Sequence, residues 1–141
     1  MQIGVDTQRS LENKRVFVID NDEISSMALQ FILADENETH TLPEIGAAIE
    51  KARQWPPHLI LLGQGLVQSE GSAIIHRIKS SMNSVKILLV CESKDDALVR
   101  ETLAEGADGI LLKPLTIEGV RRKVNSALGR AVPLGIPVVY Q

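Results

Sequence analysis

The chain reads as an α/β domain built on a parallel sheet, and three observations carry that reading. Short apolar runs recur along the 141 residues, ending near Asp20, Leu42, Leu62, Cys91 and Leu112. Between them, apolar residues return at helical spacing. The runs themselves are close to continuous rather than alternating, the mark of strands buried on both faces. Strand–helix alternation of this kind puts helices on both faces of the sheet, joined by right-handed crossovers.

The first strand is Arg15-Val16-Phe17-Val18-Ile19-Asp20, a β-branched run ending in the acidic cluster Asp20-Asn21-Asp22. From Asp22, which suits a helix cap, Ile24, Met27, Ala28 and Phe31 follow the i, i+3, i+4, i+7 spacing and predict the inner face of the first helix. Glu38 to Leu42 is a weaker strand. Ile45, Ala48, Ile49 and Ala52 mark a second helix that stops before Pro56-Pro57, with Trp55 as its terminal cap. The third strand spans Pro57 to Leu62. The stretch from Gly63 to Glu70 reads as a loop, and Ile74, Ile75 and Ile78 as a short helix. Val85 to Cys91 is the longest apolar strand. Ser93, with Asp96 three residues later, predicts the cap of the next helix, which Gly106 ends. Gly109 to Leu112 is the fifth strand. Ile117, Val120, Val124 and Leu128 form the inner stripe of the last helix, with Gly129 just beyond it.

Composition narrows the function classes. With 44% apolar and 23% charged residues the chain belongs with globular proteins. A net charge of -3 gives no footprint for direct nucleic-acid binding. The single cysteine, Cys91, excludes an intrachain disulfide and fits a reducing compartment. No apolar run approaches the ~18 residues of a membrane span, and the polar start lacks a signal-peptide core; the expectation is a cytoplasmic domain with no membrane partner. The expected organisation is a polar arm over 1–14, the domain over 15–129, and an apolar tail or linker over 130–141. His40, His58 and His76 share no metal-ligand spacing.

From Lys14 to Gly129 the landmarks together resemble the receiver domain of bacterial two-component response regulators. The motifs are Asp20-Asn21-Asp22 after strand one, Pro57-His58-Leu59-Ile60-Leu61-Leu62 with Glu70-Gly71 downstream, Ala104-Glu105-Gly106-Ala107-Asp108-Gly109 before strand five, and Lys113-Pro114 after it. The resemblance implies a flavodoxin-like (βα)5 three-layer sandwich with strand order 2-1-3-4-5 and a cis bond at Lys113-Pro114. In that family two acidic residues after strand one and an aspartate after strand three hold magnesium. The latter aspartate accepts a phosphoryl group, which a hydroxyl after strand four and a lysine after strand five then read.

Carried over position by position, the resemblance leaves a degenerate pocket of Asp20, Asn21, Gly63, Cys91 and Lys113. Asp20 matches the first acidic position and Lys113 the lysine. Asn21 falls on the second acidic position, Gly63 on the phosphoacceptor, Cys91 on the hydroxyl, and Ile110 on the aromatic that often rotates on activation. An acyl phosphate needs a carboxylate nucleophile, and glycine has none. The sequence thus predicts no phosphoacceptor, no catalytic residue, no metal and no cofactor, with Asp20 and Lys113 forming a partly buried ion pair. Cys91 reads as a small, half-buried strand-end residue.

The expected function is a pseudo-receiver that is not an enzyme: a signalling domain that binds protein partners or a fused output domain, or dimerises, independently of phosphorylation. The expected interaction face lies on the helix after strand four, strand five and the last helix, with Lys94, Arg100, Glu101, Arg121, Arg122 and Asn125. Two alternatives stand beside it: phosphorylation at an unconventional acceptor such as Asp20, and a small-molecule sensor whose ligand fills the space left by Gly63.

Overall fold

The computed structural model describes residues 13–130. Its elements are β1 (Arg15–Ile19), α1 (Glu23–Leu33), β2 (Glu38–Leu42), α2 (Ile45–Ala52), β3 (Leu59–Gly63), α3 (Gln64–Glu70), α4 (Ile74–Ser81), β4 (Lys86–Cys91), α5 (Ala97–Ala104), β5 (Gly109–Leu112) and α6 (Ile117–Ala127). The five strands are all parallel, in the order β2-β1-β3-β4-β5. This is the flavodoxin-like order that the resemblance implies. The arm over 1–12 and the tail over 131–141 lie outside the described residues. Among the described residues no helix is long and apolar enough to cross a membrane.

Alternate residues of each inner strand feed two separate cores. Phe17, Ile19, Ile60, Leu62, Ile87, Leu89 and Cys91 meet α2, α3, α4 and α5 on one face. Val16, Val18, Leu59, Leu61, Leu88 and Val90 meet α1 and α6 on the other. Both clusters are closed to solvent, so the apolar runs are continuous because each neighbouring residue has its own core to enter.

Three expectations need correction. The stretch after Gly63 is a helix, not a loop: α3 runs from Gln64 to Glu70 and buries Leu66 and Val67. Its glycine-rich start and short length hid it. The α5 cap is Asp96, whose Oδ1 accepts from Leu98 N at 2.8 Å, while Ser93 Oγ accepts from Asp95 N in the preceding loop.

The third correction concerns the orientation of α1. Its buried residues are Ser25, Leu29, Ile32 and Leu33, not the predicted Ile24, Met27 and Phe31, which lie 80%, 69% and 78% exposed. Two apolar stripes interleave along this helix, and spacing alone fits either. Leu29, Ile32 and Leu33 reach the β1–β3–β4 core as a tight i, i+3, i+4 set, whereas Ile24, Met27 and Phe31 spread along the outside. Similarly, Ile117 at the start of α6 is 50% exposed, while Val120 and Val124 are buried as expected.

The open edge at β2 is fastened by charge. Arg15 reaches Glu38 through Nε at 2.7 Å and Nη2 at 3.2 Å, and His40 Nε2 lies 2.8 Å from the same carboxylate. The Arg15 guanidinium also sits over the Trp55 ring, 5.4 Å from its centroid. Trp55 therefore pins the end of α2 to the sheet while staying half exposed.

The Arg15 and His40 hydrogen bonds hold the Glu38 carboxyl down to about 2, against an ordinary 4.5. The folded state therefore binds this proton less readily than the unfolded chain. The contribution is complete above pH 4.5 and is lost as pH falls through about 2. Glu38→Gln should flatten the loss of stability over that interval, measured by urea unfolding at a series of pH values. Parallel pH profiles for variant and parent would contradict the assignment.

Candidate functional site

Parallel strands deliver their carboxyl ends to one edge of the sheet, where the connecting loops form a crevice. Asp20 follows β1, Gly63 ends β3, Cys91 ends β4 and Lys113 follows β5. The predicted pocket residues are thus brought together. Asp20 is buried, with 6% of its surface exposed. Its backbone N–H donates to Leu42 O at 3.0 Å, and its carboxylate Oδ1 accepts from Asp22 N at 2.9 Å.

The carboxylate of Asp20 occupies the space that a side chain at position 63 would need. A Cβ built on Gly63 would stand 2.2 Å from Asp20 Cγ and 2.3 and 2.5 Å from its oxygens. The same closeness recurs one step away, where a Cβ on Gly65 would lie 2.8 Å from Asn21 Oδ1. The loop after β1 therefore folds down onto two glycines that permit the approach. Burial raises the carboxyl's pKa, opposed by the hydrogen bond from Asp22 N and, more weakly, by Lys113.

The predicted Asp20–Lys113 ion pair is not formed. Lys113 Nζ lies 3.6 Å from Asp22 Oδ2 instead. Asp20 turns down toward Gly63 and satisfies itself locally, which leaves Asp22 facing the end of β5. Asp22 also caps α1, as expected: Oδ1 accepts from Ile24 N at 3.0 Å, and Oδ2 from Ser25 Oγ at 3.0 Å. The Ser25 hydroxyl contributes most to holding this carboxyl below its usual value. The Lys113–Pro114 peptide is cis. Cys91 is fully buried rather than half-buried, and burial pushes its thiol up, away from thiolate chemistry.

Over Asp20, Asn21, Asp22 and Lys113 lies a cavity of about 390 Å³, bordered also by Gln64, Gln68, Glu92, Ser93 and Asp96. Magnesium asks for about six oxygen ligands in near-octahedral array. The donors here do not fit that demand: Asp20 is folded against Gly63, Asp22 is committed to its cap and to Lys113, and Gly63 supplies nothing. Among the described residues, no three His, Cys, Asp or Glu side chains are grouped to hold a metal. The histidines are dispersed: His40 sits on Glu38, His76 Nε2 lies 2.6 Å from Glu105, and His58 Nδ1 accepts from Arg15 N.

The predicted interaction face divides in two. Lys94, Arg100, Glu101 and Arg122 are exposed. Arg121 instead turns to α1, with Nε donating to Ile32 O at 3.4 Å and Nη2 lying 3.7 Å from Asp35. Asn125 Oδ1 accepts from Arg130 Nη1 at 3.1 Å. What the sequence reading missed is the apolar part of this face. Leu103, Leu112 and Ile117 are exposed there, beside a cleft of about 320 Å³ lined by Ile110, Leu112, Pro114, Thr116, Gly119 and Lys123. The available signal was Leu112, whose place in the strand alternation puts it opposite the buried Leu111.

Comparison with known proteins agrees with this geometry. The family model described as "Response regulator receiver domain" matches residues 16–125. The transcriptional regulatory protein LnrK of Bacillus subtilis is 38% identical over 77 residues, which are 55% of this chain and 35% of that protein. This chain therefore spans about a third of that relative's length. A two-component response regulator from Clostridium difficile superposes with a TM-score of 0.73 at 24% identity, over 83% of this chain and 97% of the other. The beryllofluoride-activated NtrC4 receiver domain dimer gives a TM-score of 0.71 at 22% identity, over 82% and 96%. The fold, the gathered strand ends and the family match lead to one conclusion: this chain belongs to the response regulator receiver domain family of two-component signalling.

Proposed function

We propose that this receiver domain works without aspartyl phosphorylation, as a protein-interaction module in the cytoplasm with no catalysis of its own. The observation that carries the reading is the Asp20 carboxylate packed into the place of a side chain at Gly63. A receiver is switched when a carboxylate at that position takes a phosphoryl group. Here the position has no nucleophile, the neighbouring carboxylate is buried, and the lysine is held by Asp22. The surface of α5, β5 and α6 keeps both charged and apolar residues exposed. Its partner would be another signalling protein, a fused output domain or a second receiver, as in the NtrC4 dimer.

One observation favours a second reading. The Asp20 carboxyl carbon lies 2.2 Å from where the first carbon of a side chain at position 63 would sit, so Asp20 is the carboxylate best placed to act as an unconventional acceptor. Its burial and its bond to Asp22 N weigh against attack.

Incubation with a small phosphodonor and magnesium, followed by intact-mass measurement, separates the two readings. The expected outcome is no phosphoryl adduct and no saturable magnesium binding. An adduct that disappears in Asp20→Ala would establish the second reading.

Restoring a carboxylate by Gly63→Asp should not restore switching by itself. Asp20 must rotate out, giving up the Asp22 N hydrogen bond and meeting a second carboxylate, at an expected cost of about 1–3 kcal/mol. Chemical unfolding should show this loss, and it should shrink when Asp20→Ala is added. A single variant that is as stable as the parent and switches partners on phosphorylation would refute the account.

Partner or self-association should respond to the exposed face and not to the pocket. Charge reversal at Arg100 or Arg122 should weaken association by about 1–3 kcal/mol where the residue is an anchor, and Leu112→Ser should act in the same direction. Cys91→Ser and Asp20→Ala should leave it near the parent value. Pocket variants that abolish association while face variants are silent would transfer the function to the cavity.

A further inference from the structure

The sheet ends in two edge strands, and the sequence treats them differently. β2 is guarded: Glu38, Thr39, His40 and Thr41 are polar, and Arg15 clamps Glu38 through two hydrogen bonds. Charge along an edge deters a foreign strand. β5 forms the other edge and, among the described residues, pairs with β4 alone. Its residues Gly109, Ile110, Leu111 and Leu112 include no charge and no proline. Alternate residues of such a strand turn their N–H and C=O groups away from the sheet, where another chain can pair with them.

The cleft of about 320 Å³ lies along that edge. Ile110, Leu111 and Leu112 all border it. Successive side chains of a strand point to opposite faces, and here Ile110 packs with the core under α5 while Leu111 packs with the core under α6. A hollow reached by three consecutive residues therefore follows the margin of the strand rather than one of its faces. Its other wall is the first turns of α6, including Thr116, Gly119 and Lys123. Among the residues bordering the cleft, Lys123 alone is charged. It is exposed, and no carboxylate of the described residues pairs with it.

We propose that β5 receives an extended segment of a partner protein as a sixth strand, with an apolar side chain of that segment in the cleft and a carboxylate beside Lys123. The proposal rests on the reading of α5, β5 and α6 as the interaction face and states how a partner holds it. Main-chain hydrogen bonds to the strand edge supply affinity, and the side chains that enter the cleft supply selection. Four residues at about 3.3 Å each give about 13 Å of edge, so the segment that pairs is short. Leu112, in phase with Ile110, and Leu103 of α5 are 43% and 36% exposed and offer apolar contact on the α5 side. A second copy of the chain fits the edge less well. Twofold pairing of β5 with itself sets two α6 helices side by side on one face of the sheet, bringing Lys123 toward its own copy. A segment carrying Asp or Glu meets Lys123 with the opposite charge.

The test uses the full chain, with a random peptide library displayed on phage as the probe and fluorescence anisotropy on the enriched peptide. Enriched sequences should combine β-branched apolar residues with Asp or Glu. N-methylation at alternate peptide positions removes main-chain donors. It should weaken binding about tenfold or more for one set of positions and far less for the other, since only one set faces β5. Lys123→Glu should cost a comparable factor, recovered when the peptide carboxylate is exchanged for Lys. N-methylation that is silent, or equally harmful everywhere, in a peptide still sensitive to Leu112→Ser would overturn strand addition while leaving the face as the interaction surface. Binding abolished by Asp20→Ala and untouched by Lys123→Glu and Leu112→Ser would instead overturn the reading of the face itself. A selection that enriches no sequence would overturn the proposal. So would a dimer in sedimentation that the enriched peptide dissociates, which would assign the edge to a second copy.

Discussion

Burial of the central strands on both faces is the constraint from which the rest follows. A strand whose neighbouring side chains both enter a core needs a helix layer above and below, and parallel pairing supplies those layers through crossover helices. β1, β3 and β4 meet this condition, with α1 and α6 on one side and α2 to α5 on the other. Because all strands run the same way, their carboxyl ends share one edge. Asp20, Gly63, Cys91 and Lys113 are distant in sequence and neighbours in space for that reason alone. The site is a by-product of how the core is closed.

Within that edge, small residues decide what the loops can do. Gly63 and Gly65 let the β1 loop descend until Asp20 and Asn21 touch the backbone of β3 and α3. Asp22 then stands free to cap α1 and to meet Lys113. A buried carboxylate without partners would be costly, and Asp20 is spared that by the Asp22 N–H. The arrangement is electrostatically self-contained. The surfaces that remain exposed carry Leu112, Ile117 and Arg122 on one side and Ile24, Met27 and Phe31 on another.

Much of this was legible from sequence because two-sided burial writes itself as continuous apolar runs. All five strands, the cap at Asp22 and the glycine stops at Gly106 and Gly129 could be read directly, and the glycines indeed take positive φ. α3 could not, because seven residues with two apolar positions carry too little periodicity to stand out against a glycine-rich start. The phase of α1 failed for a different reason. Leu29-Ile32-Leu33 and Ile24-Met27-Phe31 are both valid helical stripes, and only the shape of the β1–β3–β4 surface chooses between them. The pocket residues were legible as a set, but the choice of Asp22 over Asp20 as the partner of Lys113 depends on which way one carboxylate turns, and no spacing rule records that.

The crowding at Gly63 also shapes the order in which this sequence can change. Any larger residue arriving at position 63 meets Asp20 first, and Asp20 can yield only by leaving its bond to Asp22 N. A change at position 20 that shortens or redirects the side chain removes the obstacle beforehand. The two positions are thus coupled, and one mutational order passes through a strained intermediate while the other does not. Glycine at 63 is in this sense self-preserving: the neighbour that fills its space guards it against replacement.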